Sequence, residues 1–430
     1  MKKTIITDFF TTLSRKHFFK SLSFLTIRIL SIRTGKYNLK LEKKILDYLN
    51  LRESKIISFY NARSALYHCF KLIGIKKDDE IVINSYNCIS VVNSVIQSGA
   101  IPIYAEIDKK NLSFDTELLE SKITENTKAI VIQHTFGKSA QIKKIKEIVS
   151  KYNLVVIEDC SHSLGSKYDD LKHGSFFDFA IYSTGRDKVI SGVNGGFLVI
   201  NNTEYFKNIS KIKKNLILPP KKLVLKNLAY NILGSISLKT YDFFGLGKAI
   251  IHISRKSGLI NEILDENEKE CNNSDLNYLL PNSLAAIALY DIHRIFFYQR
   301  DREEISNFYD ANLESTYFKP LFKELVIETL NYFRYPILFK SVEIKNDFYN
   351  YMRKNKVILG HTWSDSNIVP KGTSNEITMY KGDCEVAEDI ASKILFLPNN
   401  KNVTKKDLKR IMDLIEEYEF LNIENSSLAE

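Results

Sequence analysis

The chain has 430 residues, of which 44% are apolar and 26% charged. That length allows two or three domains with a large core, and the composition excludes wholesale disorder. The net charge is +10 and the pI is about 9.0. Five scattered cysteines without a CxxC pair exclude a disulfide framework or zinc finger and point to a reducing compartment.

The first fifty residues carry eleven lysines and arginines against Asp8, Glu42 and Asp47. A basic end can serve nucleic acid, a membrane surface or an acidic substrate. No zinc-finger spacing or aromatic RNA-binding motif accompanies it, so a nucleic-acid partner is not expected. The apolar stretch near Phe9 is short and runs into Arg15 and Lys16, unlike a secretory signal. With no run of membrane-span length, the expected location is the cytoplasm. Residues 1–55 read as a basic helical extension. Within it, Phe18 to Ile32 suits an amphipathic helix that packs on the body or rests on a membrane.

From Asn61 the pattern becomes regular. Ala65, Leu66, Cys69, Phe70 and Ile73 recur on one helical face, and Gly74 suits the helix end. Largely apolar runs follow at Ile81–Ile83, Ile101–Asp108, Ala129–His134, Val155–Ile157, Phe179–Tyr182 and Phe197–Ile200, most of them separated by helical stretches. Continuous apolar strands alternating with helices predict a mostly parallel sheet with helices on both faces. Ligands bind such sheets outside the carboxyl ends of the strands. Ser85 to Asn87, His134, Asp159 and Ser183 fall there.

Residues 202–272 change character, with lysines interleaved among Leu, Phe and Ile, and Pro219–Pro220 breaking any helix. They read as an insert within a large domain spanning 56–280. Residues 283–309 read as one long helix opening a smaller α+β domain, 281–430.

The stretch from Val155 to Ile200 carries the chemistry. It places Asp159, Ser161, His162, Ser183, Lys188 and the pair Gly195–Gly196 within forty-six residues. A lysine beside an acid can hold an electron-sink cofactor, and the helix start near Ala62 can receive a phosphate. Lysine alone is usually a surface residue, and an acid ending a strand is often only a cap.

In combination these residues resemble the DegT/StrS type of sugar aminotransferase, a branch of the fold-type I pyridoxal-phosphate enzymes. The acidic pair Glu158–Asp159 precedes His162, Ser183 stands five residues before Lys188, and two glycines follow. Ala62–Arg63 opens a helix before Ser64–Ala65–Leu66, and Asn277–Tyr278 precedes the Ala285–Ala286 helix. The resemblance implies an α/β fold-type I enzyme that binds pyridoxal 5'-phosphate and needs no metal. It implies that Lys188 bonds to the cofactor and moves protons, that Asp159 pairs with the ring nitrogen, and that His162 bonds near the ring oxygen. Ser161 would lie under the ring. Ser183, Ala62 and Arg63 would hold the phosphate, and Asn277 would reach the neighbouring subunit of a homodimer. Ala62 replaces a common glycine, Asn194 replaces an acid, and Cys88 stands where an aromatic often covers the ring, with Tyr86 the alternative.

The implied reaction moves an amino group from glutamate to a nucleotide-linked keto-sugar for glycan synthesis. The alternatives are a keto substrate without a nucleotide or on a lipid, with peripheral membrane contact, and a non-catalytic relative that only binds cofactor. Sugar, ring position and nucleotide are not legible in the sequence.

Overall fold

The computed structural model describes residues 3–260, 264–322 and 333–427, with side chains to residue 422. Seven strands form the central sheet: β1 (Lys55–Phe59), β2 (Glu80–Asn84), β3 (Ile101–Ala105), β4 (Thr127–Gln133), β5 (Val155–Asp159), β6 (Phe179–Ser183) and β7 (Gly196–Ile200). Their order is β1-β7-β6-β5-β4-β2-β3. Neighbours from β6 to β3 are parallel, and β7 opposes both β1 and β6.

The apolar runs explain this arrangement. Ile81, Val82 and Ile83 of β2 and Ile130, Val131 and Ile132 of β4 are all buried. Helices cover both faces, so each such side chain contributes about 1.5–3 kcal/mol. Because β2, β4, β5 and β6 run the same way, Asn84, Gln133, Asp159 and Ser183 end at one edge. The site is built there.

Helix Ala62–Ile73 starts at this edge. The Asn61 side chain accepts from Ser64 N (2.8 Å), a cap worth about 1 kcal/mol. Gly74, at φ 89°, ends the helix, and its amide donates to the Phe70 carbonyl. That left-handed position is open to glycine at no steric cost.

A second, antiparallel sheet joins Phe318–Pro320, Tyr335–Phe339 and Ile394–Leu397. Phe318 and Phe339 of this sheet pack with Phe348, and Phe348 with Tyr418, at ring-centre distances of 4.9–5.3 Å. The first fifty residues are woven into the molecule. Ile5–Ile6 pairs in parallel with Val357–Ile358. Helices Arg15–Leu25 and Tyr37–Leu49 pack on Lys221–Lys239 and Asn282–Ile292 respectively.

Three local expectations change. The Phe18–Ile32 stretch is not one helix: it ends at Leu25 and resumes as a short turn at Ile29–Ser31. The 283–309 stretch is two helices, Asn282–Ile292 and Ile295–Asn312. The break follows Asp291, whose carboxylate is engaged by Ser191 N (3.0 Å), His17 Nε2 (3.2 Å) and Tyr298 Oη (3.0 Å). Tertiary bonds thus override a period that runs through the break. Pro220 does not interrupt a helix but immediately precedes one, Lys221–Lys239, a position where its missing N–H costs nothing.

Candidate active site

Glu158 and Asp159 end β5 on opposite faces, as alternate strand residues must. Glu158 is fully buried. It accepts from Gly174 N (2.7 Å), Phe176 N (2.8 Å), Phe177 N (3.1 Å) and His134 Nε2 (3.1 Å). His134 Nδ1 accepts from Ala140 N (3.2 Å), so the network assigns the ring proton to Nε2. His134 also stacks on His173 at 3.8 Å.

The donor atoms of His134, Glu158 and Cys160 lie within 4.8 Å of one another. Both nitrogens of His134 and both oxygens of Glu158 are already committed, and burial pushes the Cys160 thiol far up. The trio is a hydrogen-bonded anchor, not a metal centre.

Asp159 faces the other way, toward the strand-end edge, and accepts from Ser161 N (2.9 Å). Lys188 follows β6 in a loop that Gly185 helps to close, its carbonyl accepting from Lys188 N (3.3 Å). The Ser183 hydroxyl accepts from Gly185 N (3.3 Å). Burial lowers the pKa of the Lys188 amine, while Cys88, Asp159 and Asp187 act to raise it and Arg334 lowers it further. Burial lifts the Asp187 carboxyl to about 6, against the pull of Arg334.

His162 is held in an aromatic box. Its ring stacks on Phe333 (4.6 Å) and Phe136 (5.6 Å), with Trp363 edge-on at 4.9 Å. Burial, with Lys188 and Arg334 nearby, drives its pKa well below the usual value, so the imidazole is neutral. Its Nδ1 is buried and, among the described residues, has no hydrogen-bond partner.

Of the two candidates for covering a cofactor ring, Tyr86 is committed elsewhere. It is buried against Phe136 (6.1 Å) and Trp363 (5.5 Å), with its hydroxyl on the Trp363 carbonyl. Cys88 is half-buried and acts electrostatically on Lys188.

At the helix start, the Arg63 guanidinium pairs with Glu268 and with Asp275 (2.8 Å), and Asp275 also accepts from Asn61 Nδ2 (2.7 Å). What Ala62 and Arg63 offer to a ligand is therefore their first-turn amides, which have no partner within the helix. Asn277 is exposed, two residues beyond Asp275, and its carbonyl accepts from Ile217 N (2.9 Å).

Gly196 lies against this helix start: a Cβ there would come within 2.1 Å of the Asn61 carbonyl oxygen and 2.4 Å of Ala62 N. Substituting Gly196→Ala is expected to push β7 off the helix start and weaken phosphate-anchored cofactor binding by about tenfold or more. Fluorescence titration with pyridoxal phosphate would check it, and unchanged affinity would contradict the cradle.

Residues that sequence reasoning missed complete the site. Phe333 is central: Lys188 Nζ, Arg334 Cζ and Arg302 Cζ lie 5.5, 5.4 and 5.9 Å from its ring centre. Asp8, from the N-terminal segment, pairs with Arg334 and accepts from His361 N (2.7 Å) and Thr362 Oγ1 (2.8 Å). Burial would raise its pKa, but Arg334 and these bonds hold the carboxyl below its ordinary value. Asp8, Asp187, Arg302, Phe333 and Arg334 line one cleft. No spacing in the sequence connects them.

The residues fit pyridoxal phosphate on two counts. A neutral histidine leaves one buried nitrogen open beside Lys188, and a close-packed glycine backs a helix start able to take a phosphate.

Comparison with known proteins agrees. The model of the DegT/DnrJ/EryC1/StrS aminotransferase family matches residues 26–232 and 249–416. GDP-perosamine synthase of Vibrio cholerae is 26% identical over 65% of this chain and 78% of its own length. The dTDP-4-amino-4,6-dideoxy-D-glucose transaminase of Shigella dysenteriae is 26% identical over 89% of this chain and 90% of its own. Spr1654 of Streptococcus pneumoniae, solved in its PLP form, superposes with a TM-score of 0.73 at 16% identity, covering 96% of this chain and 99% of that one. With its mostly parallel sheet and its extended family match, this chain belongs to the DegT/DnrJ/EryC1/StrS aminotransferase family and is a pyridoxal-phosphate-dependent transaminase.

Proposed function

We propose that the protein transfers an amino group from glutamate to a nucleotide-linked keto-sugar, as a cytoplasmic homodimer, to supply an aminosugar for a glycan. The observation that carries this reading is Lys188, a half-buried amine of lowered pKa acted on by Asp159 at the strand-end edge. The full-length similarity to a transaminase named for an aminated nucleotide sugar supports the substrate class.

Bound pyridoxal phosphate supplies a ring that takes up negative charge from the substrate carbon. Asp159 would hold a proton at the ring nitrogen, and His162 Nδ1, which is buried with no partner among the described residues, would serve the ring oxygen, with Ser161 beside it. Ser183 and the amides of Ala62 and Arg63 would hold the phosphate, helped by Asn277 of a neighbouring copy. Lys188 Nζ would provide the amine for covalent attachment and the base that moves the proton at the substrate carbon. Its lowered pKa makes the neutral, reactive amine available at lower pH than for a solvated lysine.

Arg302, in the cleft that Asp187 also lines, offers a group for the carboxylate of an acidic donor. Arg302 is buried and its Nη1 has no hydrogen-bond partner among the described residues. Burial, with Arg334 nearby, lowers its pKa to about 10, which leaves it charged at neutral pH. A carboxylate would satisfy both the charge and the open N–H. Arg302→Met is expected to raise KM for glutamate about tenfold to a hundredfold, with a smaller change in KM for the sugar. Equal effects on both substrates would remove Arg302 from donor recognition.

Mass spectrometry of a panel of nucleotide-linked keto-sugars incubated with glutamate tests the whole reading. A gain of an amino group on at least one panel member is the expected result. Amination of none, with the glutamate half-reaction intact, would overturn the substrate class.

A further inference from the structure

The segment 205–258 carries eleven lysines and arginines and a single acid, Asp242, so its charge of +10 equals that of the entire chain. Asp242 is itself occupied, accepting from Thr4 N (2.8 Å) and Thr4 Oγ1 (2.5 Å). The segment folds as a helical hairpin, Lys221–Lys239 and Leu246–Lys256, joined by a tight turn.

The turn presents aromatic rings to solvent. Phe243 is 60% and Phe244 86% exposed, and the two pack edge-to-face at 5.0 Å. Phe244 (φ 46°) and Gly245 (φ 72°) are both left-handed, which turns the chain sharply at the tip. A left-handed backbone is unusual for a bulky residue.

The second helix continues the surface. Leu246 is 46% and Ile253 63% exposed. At 100° per residue they share one stripe with Ala249, while exposed Lys248, His252, Arg255 and Lys256 fill the adjoining one. Gly247 and Ser254, on the other side, are buried. The helix therefore shows water an apolar stripe alongside a cationic one, the division found on interfacial helices.

The family chemistry does not account for this surface. The family match leaves out residues 233–248, which include Phe243, Phe244, Leu246 and Lys248.

We infer that the tip of this hairpin docks the protein on an anionic lipid bilayer. The cations meet the lipid headgroups, and Phe243, Phe244, Leu246 and Ile253 enter the boundary beneath them. An apolar protein partner would meet the rings but leave the neighbouring charges without counterparts. An anionic bilayer matches both halves of the surface. The inference does not depend on which sugar the enzyme aminates.

Flotation of the full-length protein with vesicles tests it. The wild type is expected to float with phosphatidylcholine vesicles containing phosphatidylglycerol, not with phosphatidylcholine alone, and to dissociate as salt rises. Phe243→Ser with Phe244→Ser should lower the bound fraction about tenfold. Lys248→Glu with Lys256→Glu should lower it and flatten its salt dependence. Retained cofactor absorbance and circular dichroism would show that both variants fold. Failure of the wild type to float with anionic vesicles would overturn the inference, as would equal flotation by the variants. Loss of dimer mass in the phenylalanine variant without lipid, combined with no flotation by the wild type, would assign the tip to contact between copies of this chain.

Discussion

Replacing Lys188 by alanine is expected to abolish amino transfer, lowering kcat by about a thousandfold or more. Two properties set this size. In the proposed mechanism Lys188 supplies the amine for the covalent link, and the same amine moves the proton at the substrate carbon. The nearest substitute in charge, Arg334, is committed to Asp8. The variant should still bind the cofactor through its phosphate end but lose the visible absorption of the lysine-linked form. Substantial turnover by Lys188→Ala would refute the assignment.

The pH dependence of stability gives an independent check on apo protein. Burial lowers the Lys188 pKa in the fold below the ordinary lysine value. Below the folded pKa the native state must carry a buried charge, so the lysine destabilises the fold there. That cost shrinks as pH rises through the folded pKa toward the unfolded one. Lys188→Met should therefore raise Tm at neutral pH, with the gain fading at high pH. A gain that grew with pH would contradict the burial of this amine.

Glu158→Ala should be the most destabilising single substitution near the site, by about 3–5 kcal/mol. Glu158 is fully buried and serves three backbone amides of the 174–177 turn together with His134. Removing it leaves four donors without an acceptor, two of them, Gly174 N and His134 Nε2, fully buried. Glu158→Gln should cost less, because the amide keeps one acceptor oxygen. Both changes act on Asp159 through the adjacent backbone, so cofactor affinity should fall with stability. Denaturant unfolding followed by circular dichroism would measure the loss. A loss under about 1 kcal/mol for the alanine variant would mean that the turn finds other acceptors.

Much of the fold was legible because sheet and helix impose short periods. The continuous apolar runs at 81–83, 129–134 and 179–182 mark buried strands wherever they dock, and all lie in the central sheet. Parallel strands bring their polar ends to one edge, so Asp159, Ser183 and Lys188 are expected together before any contact is known. The resemblance singled out Asp159 from the Glu158–Asp159 pair. Strand alternation says only that the two face opposite ways, and the turn at 174–177 shows what each face meets.

The rest depended on docking between segments far apart in the chain. Phe333 reaches Lys188 and His162 across roughly 150 residues, and Asp8 reaches Arg334 across more than 300. Such contacts have no period, because their partners are chosen by how whole elements pack. The break after Asp291 arises in the same way, from bonds to His17 and Ser191. By itself, then, the sequence determined the layered α/β architecture, which follows from local spacing, and through its family resemblance it pointed to Lys188 at the strand-end edge. The aromatic box around His162, the cleft that joins Arg302 and Arg334 to Asp8 and Asp187, and the exposure of Phe243 and Phe244 were decided by tertiary structure. Burial and ion pairing are properties of what surrounds a residue, and only the folded chain supplies those surroundings.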